Sequence, residues 1–327
     1  MRAVWVHKFG GPEVLVPGEA PAPEAGPGQV LVEVAYANIT FVETQLRSGT
    51  GPITPTLPTI PGNGVGGTVR AVGPGVDPGL AGRRVVTSTG GSGAYAELVA
   101  VPADGLVEVP ATLRLDDAVA LLADGRTATW LIRASEARPD DRVLVTAAAG
   151  GVGTLLVQLA AAAGAQVVAA AGGDRKVALA VRLGAKVGVD YRRPDWTDRV
   201  REAVGGVDLV LDGVGGALGR SAFDLLGEGG RMLSFGLASG SWTEVPEAEA
   251  RQRGVRLLRP ALNPAGVREL TESVLRAAAE GRVKPVIGQR FELTRAAEAH
   301  AAIEARATVG KTLLEVRPEA RPEPAPA

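Results

Sequence analysis

The residues Ala147-Ala148-Ala149-Gly150-Gly151-Val152-Gly153 carry the sharpest chemical signal in the chain. They follow the apolar run Arg142–Thr146 and open an Ala- and Leu-rich stretch, Val152–Ala163. A dinucleotide pyrophosphate needs backbone N–H groups at a helix N-terminus and no side chains in the way. Glycines at 150, 151 and 153 meet both needs, and strand, turn and helix is the context the motif requires. An NAD site usually has an acid at the tip of the next strand to hold the ribose hydroxyls. Here that strand ends Val168-Ala169-Ala170-Ala171-Gly172-Gly173, with no acid at its tip, and Asp174-Arg175-Lys176 follow. Two cations beside small residues favour a 2′-phosphate, so the expected cofactor is NADPH. Asp174 is read as the N-cap of the next helix, accepting backbone N–H bonds rather than facing a ribose.

Other chemistries are excluded by what the chain lacks. With no cysteine there is no disulfide, cysteine zinc site, iron–sulfur cluster or thiolate nucleophile. Two histidines cannot build a three-His zinc site. His7 is read as a surface residue of an N-terminal strand, and His300 as a bystander in a late amphipathic helix. Asp116-Asp117 and Glu247–Glu249 are read as solvated carboxylates, and no metal is expected. Lys plus Arg number 35 against 36 for Asp plus Glu, so there is no basic excess for a phosphate backbone or an anionic bilayer. The longest apolar stretch, Leu155–Ala171, is broken by Gln158, Gly164 and Gln166 and is too short to span a membrane. Without an apolar leader at the N-terminus, the expected location is the cytoplasm.

The elements that must position the glycine turn follow from the chain's 327 residues, enough for about two domains. The first hundred residues read as short strands at Val4–His7, Val30–Ala35, Val69–Val72, Arg84–Ser88 and Tyr95–Val101. Pro17–Gly28 and Thr50–Gly67 read as loops. Two helices are expected at Leu113–Ala123 and Thr127–Ser135. Strands and helices then alternate from Arg142 to Phe235, which implies βαβ units and a parallel, doubly wound sheet. A long amphipathic helix, Pro264–Glu280, precedes a strand near Gln289–Phe291, a helix Thr294–Ala305 and a last strand Lys311–Val316.

Further motifs stand in order along the chain: Phe9-Gly10-Gly11-Pro12-Glu13-Val14-Leu15, Val42-Glu43-Thr44 with Arg47-Ser48-Gly49, and Pro61-Gly62 with Gly66-Gly67. Ala123-Asp124-Gly125-Arg126-Thr127-Ala128, Val189-Asp190-Tyr191, Leu211-Asp212-Gly213-Val214-Gly215, Ser234-Phe235-Gly236 and Gly310-Lys311 follow. Together they resemble the zinc-independent quinone oxidoreductases of the medium-chain dehydrogenase/reductase superfamily, over about residues 1–316. The resemblance implies an α/β protein: a doubly wound Rossmann domain plus a β-rich GroES-like catalytic domain. Residues 1–120 would begin the catalytic domain, 121–262 form the NADPH-binding domain, 263–316 return to the catalytic domain, and 317–327 form a disordered tail. The active site would lie in the cleft between the domains. Lys176 and Tyr191, beside Gly173, would hold the 2′-phosphate. Thr127, Gly150, Gly151, Val152 and Gly153 would line the nicotinamide and pyrophosphate, with Phe235, Gly236, Leu237 and Lys311 completing the site. A homodimer or homotetramer joined through Rossmann-domain edges is implied.

Hydride transfer asks a protein for alignment, exclusion of water and a donor to the acceptor oxygen, not for a strong acid. Thr40, where the family commonly has Asn, is the first candidate donor, and Gln45, where it often has Tyr, the second. A second family Tyr is missing near Gly51. Trp130 or Trp242 could supply an aromatic wall. The expected partner is a small-molecule acceptor, a quinone or conjugated enone. An enoyl thioester reductase and a non-catalytic NADPH-binding protein are the alternatives.

Overall fold

The computed structural model describes residues 1–261 and 263–317. The chain divides into two compact units, Met1–Ala123 with the segment from Ile287 onward, and Asp124–Val286.

The first unit opens with a hairpin, β1 (Arg2–Val6) against β2 (Leu15–Glu19). Its main sheet is built on the long strand β3 (Gln29–Ile39), which ends where helix α1 (Phe41–Ser48) begins. Strands β4 (Gly64–Val72), β5 (Arg84–Ser88), β6 (Leu98–Pro102) and β7 (Val107–Glu108) follow. The valines at 30, 32 and 34 alternate along β3 and are fully buried with Val65, Val85 and Tyr95. Period-two apolar spacing puts them on one face of the sheet. Pro17-Gly18-Glu19, read as loop, belongs to β2, where proline is tolerated on an edge strand.

The end of the expected loop Thr50–Gly67 is likewise strand, and its glycines explain why. A Cβ on Gly67 would lie 1.9 Å from the Glu33 carbonyl oxygen, and one on Gly66 2.3 Å from Val119 Cγ2. Only side-chain-free residues let β4 approach β3 and the following helix this closely. That helix, α2 (Leu115–Ala134), is continuous, not two pieces. Glycine at 125 is tolerated because burial of Val119, Leu121, Ala128 and Leu131 outweighs its poor propensity.

The second unit alternates as expected. It runs β8 (Arg142–Val145), α3 (Gly151–Ala162), β9 (Gln166–Ala171), α4 (Asp174–Arg182), β10 (Val187–Asp190), α5 (Trp196–Val204) and β11 (Val207–Asp212). Helix α6 (Gly216–Phe223), β12 (Leu226–Ser234), α7 (Glu247–Gln252), β13 (Arg256–Leu258) and α8 (Val267–Ala279) complete it. The parallel strands lie in the order β10-β9-β8-β11-β12-β13, the doubly wound Rossmann order. β8 and β11 read as near-continuous Val and Leu because helices cover both sheet faces.

The chain returns to the first unit at Ile287, not at 263 as the sequence suggested. Helix α8 stays with the Rossmann unit because Arg133 of α2 bonds Glu269 and Ser273, while the Gln158 side chain of α3 holds the Lys284 backbone through two hydrogen bonds of 2.9 Å. Strand β14 (Ile287–Glu292), helix α9 (Ala296–Glu304) and strand β15 (Lys311–Glu315) then rejoin the first sheet, β15 pairing with β3. The expected tail lies, from residue 318 on, outside the described residues. Among these, no helix is long and apolar enough to cross a membrane. Asp116, read as solvated, is buried and paired with Arg114 and Arg290.

The Gly67 contact is testable. Gly67→Ala is expected to destabilise the fold by about 2–4 kcal/mol, since backbone rather than a flexible side chain must yield. Urea unfolding midpoints check this, and an unchanged midpoint would contradict the contact.

Candidate active site

The glycine turn sits at the C-terminal ends of the parallel strands, beside the switch point between β8 and β11 where such sheets bind ligands. Ala147 takes a left-handed conformation (φ 49°), and the Gly150 N–H closes the turn on its carbonyl at 2.9 Å. A Cβ on Gly153 would lie 2.2 Å from that same carbonyl oxygen, so glycine is what lets α3 start this close to the turn. Thr154 makes the first intrahelical bond, to Gly150, at 2.9 Å. The amides of Gly151, Val152 and Gly153 precede it and have no intrahelical acceptor. They form a helix N-terminus of the kind a pyrophosphate fits.

Asp212 fastens this face. It is fully buried and accepts bonds from Thr146 Oγ1 (2.8 Å), Thr243 Oγ1 (2.5 Å) and the amides of Val214 (3.0 Å) and Gly215 (3.2 Å). Its carbonyl receives the Phe235 N–H at 2.8 Å. Asp212 thereby joins the end of β8 to the segment Phe235–Leu237. The Phe235 ring packs on Gly213, where a Cβ would come within 2.8 Å. Thr127, half-buried, lies on α2.

At the tip of β9 the backbone opens into Gly173 (φ 98°), a conformation that favours glycine. Gly173, not Asp174, is the N-cap of α4, and no side chain caps it. Asp174 is the first helical residue, so the expected cap is corrected. The anchor is instead Asp190 of the neighbouring strand, which accepts the Gly173 N–H at 2.9 Å. Arg192 chelates Asp190 and, with the Arg192 and Gly173 amides, holds its carboxyl down to about 2. The Tyr191 ring lies 3.3 Å from a Cβ built on Gly172, and the Arg192 guanidinium 2.5 Å from one built on Gly173. Lys176 is half-buried on the first turn of α4. Gly173, Tyr191 and Arg192 thus meet at one strand tip. Sequence reading missed Arg192. The only signal was its place directly after Val189-Asp190-Tyr191.

The other candidates belong to the first unit. Thr40 caps α1, half-buried, and Glu43 completes a capping box with it. Glu43 is buried, and its carboxyl accepts the Thr40 N–H at 2.6 Å and the Asn63 N–H at 2.7 Å. In the capping box the Thr40 side chain accepts from the Glu43 backbone. Burial pushes the Glu43 pKa up, against the opposing pull of these bonds and of Lys311. Lys311 is buried on β15, next to the Thr312–Ile39 pair. Gln45 is half-buried in the middle of α1. Asn38 is buried with neither amide atom partnered among the described residues, a hydrogen-bonding capacity the fold leaves unused.

Behind Glu43, the Tyr95 hydroxyl lies 3.5 Å from its carboxyl and 2.9 Å from His300 Nε2. His300 is fully buried, not a bystander on a surface helix. Burial, then the charge of Arg47, lowers its pKa to about 3. Arg47 is itself buried, donating to the Gly10 carbonyl and pairing with Glu304. In the Rossmann unit, Trp130 and Trp242 line one cavity of about 410 Å³ with Met232, Leu257 and Arg259.

Residues 26–111 match the alcohol dehydrogenase GroES-like domain, and residues 183–314 match the zinc-binding dehydrogenase family. Quinone oxidoreductase 1 of Escherichia coli is 36% identical over 319 residues, covering 94% of this chain and 97% of that protein. A 2-haloacrylate reductase from a Burkholderia species is 32% identical over 330 residues, covering 96% and 98%. The structure of Escherichia coli quinone oxidoreductase complexed with NADPH superposes with a TM-score of 0.89 at 33% identity, covering 97% of this chain and 100% of that one. The chain belongs to the medium-chain dehydrogenase/reductase superfamily, in its zinc-independent quinone oxidoreductase branch.

His300 gives a pH prediction. Its folded pKa of about 3 lies below the unfolded value of 6.5, so between them the unfolded chain binds a proton that the fold refuses. Stability is full above the unfolded value and falls as pH drops, by about 1.4 kcal/mol per unit. Unfolding free energies measured from neutral pH downward should fall less steeply for His300→Gln. Equal slopes would remove His300 as the cause.

Proposed function

We propose that this protein is an NADPH-dependent oxidoreductase that delivers a hydride to a quinone or conjugated enone without zinc. The observation that carries this reading is the pairing of a side-chain-free turn at a helix N-terminus with a cationic strand tip. The amides of Gly151, Val152 and Gly153 fit a pyrophosphate. Arg192, Lys176 and Tyr191, around Gly173, fit a 2′-phosphate, and no acid stands at the tip of β9 to prefer a free ribose. Thr127, Phe235, Gly236, Leu237 and Lys311 are assigned to the nicotinamide end. The relatives named as quinone oxidoreductases, and the NADPH in the Escherichia coli structure, support the same assignment.

NADPH supplies the hydride. The chain has to hold the acceptor, exclude water and donate to the oxygen on which charge develops. Thr40 is assigned as that donor, with Gln45 beside it on α1 and the unpartnered Asn38 amide as a further contact. Gly51 favours a second reading, in which the acceptor is a small activated alkene rather than an aromatic quinone. A Cβ there would lie 2.7 Å from Leu46 Cδ2 and 3.0 Å from the Leu46 nitrogen, so this backbone has no room for the family's tyrosine. A homodimer or homotetramer is also proposed, on the strength of β13 at the open end of the Rossmann sheet and the half-exposed Trp242.

Titration with NADPH and NADH tests the cofactor. NADPH should bind at least about tenfold tighter, and Arg192→Ala should weaken NADPH by about tenfold or more while leaving NADH unchanged. Equal losses would overturn the 2′-phosphate assignment. Adding benzoquinone, a linear enone and an enoyl-CoA in parallel to the reduced complex tests the acceptor. Oxidation by quinone or enone is expected. Turnover of the thioester alone would move the protein to enoyl reduction, and tight binding without turnover to a binding role.

A further inference from the structure

We propose that the cavity at the ends of β12 and β13 seats the acceptor's ring, and that Trp130 and Trp242 select a flat, neutral quinone. This rests on the reductase reading above and names the part of the chain that takes the acceptor. The cavity measures about 410 Å³. That lies within the range of small-molecule sites and far exceeds the roughly 30 Å³ of a water.

Strand register fixes its place. β12 ends at Ser234 and β13 at Leu258, and the two run parallel with Leu233 opposite Leu258. Ser234 and Arg259, one step further on, both line the cavity. It therefore lies at the C-terminal edge of the sheet, where open α/β sheets bind ligands. Three links join it to the residues assigned to the nicotinamide end. Ser234 directly precedes Phe235. Trp130 stands three residues after Thr127 on α2, so the two are neighbours on the helix surface. Thr243, another lining residue, bonds Asp212, whose carbonyl holds the Phe235 N–H. All these residues belong to the Rossmann unit, so the walls come from one unit.

The walls define the ligand chemistry. Trp130 is half-buried and Trp242 half-exposed. An indole left partly in water gains when a flat ring covers it. Its face is electron-rich and a quinone ring is electron-poor, so the two stack. Met232 adds a polarisable thioether, which suits aromatic edges. Polar groups are few. The Ser234 hydroxyl can donate to a carbonyl oxygen of the ring. The exposed Arg259 pairs with Glu247 at 3.0 Å, which leaves no unbalanced charge in that pair for a carboxylate or for the phosphates of a coenzyme A thioester. Gly51 has no room for an aromatic side chain in the first unit, and the two indoles supply an aromatic wall in the Rossmann unit.

The test titrates the full chain, saturated with NADP⁺ so that no turnover occurs, with 1,4-naphthoquinone. Two of the four tryptophans line the cavity, so saturable quenching of the intrinsic fluorescence is expected, and less of it in Trp242→Ala. In steady-state assays Trp242→Ala should raise the KM for 1,4-naphthoquinone about tenfold and leave NADPH affinity within about twofold. If that variant fails to fold, or changes the mass measured by light scattering, Trp130→Leu and Trp130→Phe replace it. A raised KM in the first and a near-normal one in the second support the ring site. An unchanged KM in Trp242→Ala and Trp130→Leu, or quenching that never saturates, would overturn it. So would an equal loss of NADPH affinity, which would give the cavity to the nicotinamide itself. Wild-type protein that binds 1,4-naphthoquinone saturably, yet oxidises NADPH with no quinone or enone, would overturn the reductase reading instead, and the acceptor role with it.

Discussion

A carboxylate withdrawn from water costs several kcal/mol unless hydrogen bonds replace its hydration. Asp212 has no exposed surface and meets that demand with two hydroxyls and two backbone amides. The donors come from separate parts of the chain: the end of β8, the turn after β11 and the segment at Thr243. Satisfying one buried charge therefore fixes the relative positions of these parts. The glycine turn begins one residue after Thr146, and the segment Phe235–Leu237 hangs from the Asp212 carbonyl. The turn that opens α3 is shaped by this junction as much as by its glycines.

The two buried acids do different work. Asp212 is surrounded by donors from separate segments, which makes a rigid strand junction. Glu43 receives two backbone N–H bonds, and burial nevertheless raises its pKa. Its position as the third residue of α1 ties it to the placement of Thr40.

The family, the Rossmann alternation and the glycine turn were legible because each rests on local rules. Parallel strands covered on both faces read as apolar runs, and a helix that opens on glycine announces a phosphate site. The misreadings fell where distant residues decide. Asp116 looked solvated in a polar pair, but Arg290, far along the chain, folds onto it. His300 looked like a helix bystander until Tyr95 met it across 205 residues of sequence. The glycines of β4 read as loop because the carbonyl and side chains that exclude a Cβ come from other elements.

The sequence by itself determined the class of the chain, the order of its strands and helices, and the residues able to surround an anion without steric conflict. These depend on composition, periodicity and spacing within a few dozen residues. The tertiary structure decided that Gly173 rather than Asp174 caps α4, that Arg192 meets Gly173 and Tyr191 at one strand tip, that α8 stays with the Rossmann unit, and that Glu43 is buried beside Thr40. Each of these turns on burial and on hydrogen bonds between distant segments, and no local pattern encodes the dielectric a side chain will meet.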